Sequence, residues 1–194
     1  MIDEGSAVKL VTTTIRQKQQ RRMRRRWLAY AVVTLAWAVT VGIGAVLSPP
    51  AWLHDAALFV HLASLIVGLG AVLMIEWHAA LWATGWSSVR ELRQADRTMI
   101  LPVWLGLGGL LASGALLSPD LSSPMTLLKL GAVLVLSLNG VALTKWTSDL
   151  ARLPGRARFQ SLPRRAKAGF VASAIVSQLA WWTAVVVGFL NTLG

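Results

Sequence analysis

Cysteine is absent from this 194-residue sequence, which excludes disulfides, thiol nucleophiles, iron–sulfur clusters and cysteine-type zinc sites. Charge is scarce: Asp, Glu, Lys and Arg make up 14% of the residues, against about 25% in soluble globular domains. Acidic charge is scarcer still, with 8 acidic residues beside 19 basic ones. A Gly-rich phosphate loop, a Ser/His/Asp set and paired carboxylates are missing too, so the familiar soluble catalytic motifs are excluded. What the chain has is apolar surface, 55% hydrophobic residues with a mean hydropathy of +0.59. A net charge of +11 would suit nucleic acid if it lay on a folded basic face. Here the basic residues stand in blocks between long apolar runs instead. That arrangement is membrane topology, and nucleic acid is not an expected partner.

A hydrocarbon core of about 30 Å needs about 20 predominantly apolar residues per helical span. Five stretches qualify, at about Trp27–Leu47, Ala56–Trp82, Met99–Leu117, Leu127–Leu143 and Phe170–Leu193. The expected fold is therefore all-α, an integral membrane bundle of five transmembrane helices over residues 27–194, preceded by a basic arm over residues 1–26. The first stretch is too long for the apolar region of a cleaved signal peptide. Orientation follows from the loop cations. Every Lys and Arg except Lys129 falls in the arm, in the second connector or in the fourth connector. The connectors Ser48–Asp55 and Ser118–Thr126 carry Asp55 and Asp120 and no basic residue. The N-terminus is thus expected in the cytoplasm and the C-terminus outside, in a bacterial inner membrane. Arg21, Arg22, Arg24, Arg25 and Arg26 stand beside the first span. There they anchor topology and attract anionic lipid headgroups at about 1 kcal/mol each.

Ionisable and polar groups inside spans are costly and mark function or a polar network. His61, Glu76, Lys129 and Asn139 are the main ones, with Gln178 a fifth. At 1.5 Å of rise per residue, His61 and Lys129 both fall within about 7 Å of the outer boundary. His61 and His78 are about 25 Å apart along one helix, so they cannot share a metal ion. Helical phase places His61, Ser64, Gly68 and Glu76 on one stripe of the second span, and Lys129, Ala132, Leu136 and Gly140 on one stripe of the fourth, with Asn139 at its edge. Facing stripes would line a cavity with His61, Ser64 and Lys129 above and Asn139 below. Glu76 is expected to pair with arginines of the inner connectors. Gly106, Gly109 and Ser113 on the third span, and Gly68 and Ala71 on the second, are candidates for close helix contact.

The second span contains Leu-Phe-Val-His-Leu-Ala-Ser-Leu-Ile-Val-Gly-Leu-Gly and closes on Glu76-Trp77-His78. The third carries Leu-Gly-Leu-Gly-Gly-Leu-Leu-Ala-Ser-Gly, and the fourth Leu-Leu-Lys-Leu-Gly-Ala-Val-Leu-Val-Leu-Ser-Leu-Asn-Gly. Over residues 53–193 this resembles the four-helix module of CopD-type copper-resistance membrane proteins and HemJ-type membrane protoporphyrinogen oxidases. The resemblance implies haem b held with His61 and Lys129, and His61 as the iron or metal ligand. It departs from the oxidase-like pattern at Gly68 and Asn139, where those proteins carry Trp and a second His. Met74 is also the only methionine well inside a span, whereas a copper-handling chain would cluster Met and His.

Three functions follow from these residues, and no catalytic residue is assigned in any of them. One is a non-catalytic accessory or scaffold subunit that meets a membrane-protein partner through its small-residue faces. Another is a haem- or porphyrin-associated redox protein with His61, Lys129 and Asn139 as cofactor-binding residues. The last is a small metal or solute transporter using the same cavity.

Overall fold

The computed structural model describes residues 4–190, with side chains at residue 17 and over 19–190. Residues 191–193 of the fifth expected span and the first basic side chains of the arm lie outside the described residues. Among the described residues the chain is all-α, without strands. It forms α1 (Glu4–Val46), α2 (Ala51–Thr84), α3 (Val89–Gly114), α4 (Pro124–Leu150) and α5 (Arg164–Leu190), with a 3-10 turn at Phe159–Ser161 before α5.

The helix ends follow local chemistry. Between Ser6 and Val41 there is no glycine or proline, and Gln, Lys, Arg and Ala are good helix formers. The basic arm therefore continues as helix straight into the first apolar stretch. Pro49-Pro50 separates α1 from α2, with Pro50 extended (φ −63, ψ 155) as the N-cap. As a result α2 starts at Ala51, ahead of the expected Ala56. Gly85 ends it in the left-handed conformation (φ 86), its N–H reaching the Leu81 and Trp82 carbonyls; a glycine is favoured there because a Cβ would crowd the backbone. Ser88 and Glu91 form a reciprocal capping box at the start of α3. Pro124 opens α4, where its missing N–H costs nothing.

Four helical segments are long and apolar enough to cross a membrane: Gln19–Val46 of α1, α2, α4 and α5. That composition is what a multi-pass membrane protein requires. The third expected span does not qualify on the same terms. Arg90, Glu91, Arg93, Asp96 and Arg97 occupy the first third of α3, and the helix stops at Gly114 rather than at Leu117. Its apolar part is correspondingly short.

The helices pack as two antiparallel pairs, α2 on α3 and α4 on α5, with α1 laid against α4 and α3. Backbone meets backbone between α2 and α3. A Cβ on Gly106 would strike the Cα of Gly68 and come within 2.8 Å of the Ser64 carbonyl, and one on Gly109 would strike the Ser64 hydroxyl. The small residues read as contact candidates thus do meet. Helix α1 is held at a few points: Trp37 Nε1 donates to the Leu130 carbonyl at 3.0 Å, Ser118 Oγ donates to the Leu47 carbonyl at 3.0 Å, and Gly44 lies against Pro119.

Two buried clusters stack along the bundle. The first joins Leu107, Leu110, Leu136, Ala180 and Trp181 at mid-height. The second joins Trp82, Val89, Leu92 and Leu150 at the end where the Arg-rich connectors lie, called the basic end below, with Phe159 and Phe170 packed on it. Trp82 is 2% exposed, because the 151–163 connector folds over it and the Ala157 carbonyl accepts its Nε1–H at 2.9 Å.

Candidate functional site

The intramembrane polar residues form two groups at different heights. The first lies toward the Pro-containing connectors, 47–50 and 115–123. Ser113 Oγ has a single proton, and it donates that proton to the Gly109 carbonyl at 2.5 Å. Its contact with His61 Nδ1 at 2.9 Å must therefore be an Nδ1–H donated by the ring. The Leu110 carbonyl is a second acceptor in reach of the ring, also from α3. The neutral His61 ring thus turns its N–H toward α3 and keeps its lone pair on Nε2. Lys129 lies within coulombic range of the imidazole. Its Nζ packs beside Gly188 of α5, 3.7 Å from where a Cβ would stand. His61 and Lys129 thus lie at the same end of the bundle, one on each helix pair, within electrostatic reach of one another.

Asn139 does not join them. It lies ten residues further along α4, about 15 Å deeper, and its side chain is matched to α5. Asn139 Nδ2 donates to the Ser173 carbonyl at 2.9 Å, and Ser173 Oγ donates to Asn139 Oδ1 at 2.7 Å. Asn139→Leu is expected to lower stability by about 1 kcal/mol, the usual weight of such an interhelical bond. A thermal unfolding scan in detergent, compared with Ser173→Ala, checks it: the alanine variant keeps the Asn139 Nδ2–H bond to the residue-173 carbonyl and should lose less.

Asn139 belongs to the second group, around a partly open cavity of about 410 Å³ lined by residues of α2, α3, α4 and α5. The cavity lies between the two buried clusters, with Leu107, Leu136 and Trp181 toward mid-height and Leu92, Leu150 and Phe159 toward the basic end. Its wall is apolar except for a few groups. Glu76 was expected to pair with arginines; it instead accepts from Gln178 Nε2 at 2.5 Å and from the buried Ser177 hydroxyl, and Trp182 Nε1 in turn donates to Gln178 Oε1 at 2.9 Å. Arg93 reaches the connector, giving Nη2–H to the Leu153 carbonyl at 2.6 Å. Asp96 is half-buried on the wall just before the apolar part of α3. Burial pushes its carboxyl above the ordinary value, and the neighbouring Arg97 partly offsets this.

Neither His61 nor Lys129 lines this cavity. Among the described residues no three His, Asp or Glu side chains gather as a metal-ion set, so a metal at His61 would draw its other ligands from outside the protein's carboxylates and imidazoles. Sequence reasoning passed over the α5 side of the cavity. The available signal was the small-polar spacing Ser173–Ser177 with Trp181 next on the same face. Searches against family models, curated proteins and solved structures found no match for this chain.

Proposed function

We propose that this chain is a non-catalytic, multi-pass membrane protein that holds a small lipophilic molecule between its two helix pairs. The observation that carries this reading is the 410 Å³ cavity itself. Its volume falls in the range of small-molecule sites, and its mostly apolar wall with a few fixed polar groups has their chemistry. Close packing is the rule in protein interiors, and a partly open apolar space of this size between two buried clusters is suited to a bound molecule. The polar residues inside the spans support a binding role rather than a reaction, because most of them are spent on clipping helices together.

Five spans fit this reading. α3 packs antiparallel along α2 with its glycines in contact, so a membrane that α2 crosses contains the apolar part of α3 as well. The cation distribution favours a cytoplasmic N-terminus and an outer C-terminus in a bacterial inner membrane. The exposed guanidinium groups of Arg21, Arg22, Arg24, Arg25 and Arg26 then lie where anionic headgroups gather.

Native mass spectrometry of the protein released from nanodiscs tests the binding role. A discrete non-covalent adduct is expected on the parent protein and is expected to be lost in Ala174→Phe, which projects a ring into the cavity from α5. The same adduct on both proteins, or none on either, would overturn the proposal.

A second reading rests on the His61 geometry. A neutral imidazole with its Nδ1–H fixed by Ser113 and its Nε2 uncommitted is a suitable ligand for haem iron, and Lys129 is placed to meet an anionic propionate. The CopD/HemJ-type resemblance points the same way. The 410 Å³ cavity is not the seat of such a group, since His61 lies outside its wall. Oxidised and dithionite-reduced visible spectra of protein expressed with ample haem are the check. A Soret band that shifts on reduction and disappears in His61→Ala supports the haem reading, and a featureless spectrum removes it.

A further inference from the structure

The polar groups of the cavity wall do not balance. Its carboxylates are provided for by the protein: Glu76 accepts from Gln178 and Ser177, and Asp96 has Arg97 beside it. The Asn139 amide is matched to Ser173, and the Thr144 hydroxyl donates to the Val141 carbonyl. Two buried donors on the same wall find no partner among the described residues. One is the indole Nε1–H of Trp181, a residue only 1% exposed. The other is the Nε–H of Arg93, whose Nη groups reach the carbonyls of Ala151 and Leu153. Neither group has a lone pair to offer, so each is satisfied only by an acceptor. Buried donors left unpaired are rare in folded proteins. The Trp181 indole is also held in place, its Cη2 corner 3.1 Å from where a Cβ on Gly68 of α2 would stand. What this wall lacks is an acceptor.

We propose that the occupant of this cavity is a neutral lipophilic carbonyl compound, its oxygen accepting the Nε1–H of Trp181 and its carbon skeleton lying on the apolar wall. The inference rests on the binding role proposed above and adds the polarity of the ligand. A plain hydrocarbon would fill the space and leave the N–H unmet, which is unfavourable for a buried donor. An anion would accept the bond but would bring its charge into an apolar wall that already carries Glu76 and Asp96. A ketone, quinone or ester oxygen accepts without that penalty. Trp181 belongs to the mid-height cluster, whereas Arg93 stands near the basic-end start of α3, about 20 Å along that helix from Leu107 of the same cluster. One carbonyl therefore serves Trp181, and Arg93 would take a second acceptor on a longer molecule.

Two planar molecules of nearly the same shape separate the possibilities: fluorenone, which has one carbonyl, and fluorene, which has none. Equilibrium dialysis measures the binding of each to the whole chain in detergent, for the parent, Trp181→Phe and Ala174→Phe. The ratio of fluorenone to fluorene affinity should be about tenfold higher in the parent than in Trp181→Phe, a difference of about 1.4 kcal/mol. Taking the ratio cancels the unequal partition of the two molecules into detergent. In the infrared, the carbonyl band of bound fluorenone should lie at lower frequency in the parent than in Trp181→Phe, a signature that loss of ring packing alone would not produce. Equal ratios, or an unshifted band, overturn the acceptor assignment, and the cavity reading stands if Ala174→Phe abolishes binding of both molecules. Binding of both that Ala174→Phe leaves unchanged, or no binding of either to the parent, overturns the cavity reading as well. Should Trp181→Phe not fold, the parent decides alone: a fluorenone band at its frequency in empty micelles overturns the assignment.

Discussion

Gly106→Leu is expected to prevent recovery of a folded protein. The Cβ alone would collide with the backbone of Gly68 and the Ser64 carbonyl, and backbone cannot rotate away as a side-chain tip can. Relief requires moving α3 off α2 along the tightest contact of the bundle. Overpacking in an interior costs about 1–3 kcal/mol where side chains can adjust, and more where they cannot. Helix association in lipid depends on close packing more than on solvent exclusion, so separation of the pair has little to offset it. Fluorescence-detected size-exclusion chromatography should show an aggregated or degraded product. Gly108→Ala is the matched control: a Cβ there meets nothing within 4 Å, so the elution profile should not change.

Trp82→Ala should remove about 3–5 kcal/mol, the usual cost of truncating a fully buried aromatic. Trp82 packs edge-on against Phe159, with ring centroids 5.2 Å apart, and against Phe170 at 6.4 Å. Its Nε1–H ties down the 151–163 connector through Ala157. Loss of the ring therefore loosens Phe159 and Phe170, which line the cavity, as well as lowering stability. Trp82→Phe should retain most of the packing and lose about 1–3 kcal/mol, because the Ala157 carbonyl is left without its donor. Thermal unfolding in detergent should rank the parent above Trp82→Phe and Trp82→Ala last. Equal midpoints for Trp82→Ala and the parent would show that the connector contributes nothing to the fold.

The all-α class and the approximate positions of the apolar helices were legible because a membrane span is a composition signal, carried by every residue in the segment. The close contact of α2 with α3 was legible for a related reason: Gly68, Gly106, Gly109 and Ser113 recur at helical spacing. The length of the helices was not. Apolar runs end where charge begins, but backbone helix continues until a residue such as Pro50 or Gly85 stops it, so α1, α2 and α5 extend well past their apolar cores. The site was half-legible. His61 and Lys129 could be matched by depth and phase, and they lie at the same end of the bundle within electrostatic reach. The partner of Glu76 could not be found that way. Arginine was the obvious counter-ion by charge, yet the α2–α5 geometry presents Gln178 and Ser177, and no depth argument distinguishes a neutral donor on one helix from a cation on a nearby connector. The unpaired N–H of Trp181 follows from its burial among four helices, which no spacing in the sequence specifies.

Because the natural chain has no cysteine, one introduced thiol reports on one place, and this gives the most direct test of the central claim that an accessible cavity lies between the helix pairs. Single cysteines at Ala174, on the cavity wall, and at Ala180, in the mid-height cluster at 6% exposure, would be treated with N-ethylmaleimide in intact nanodiscs and counted by mass spectrometry. The account predicts that Ala174→Cys reacts readily, while Ala180→Cys stays unmodified. Equal resistance at the two positions would mean that the space between the pairs is closed, and would contradict the account.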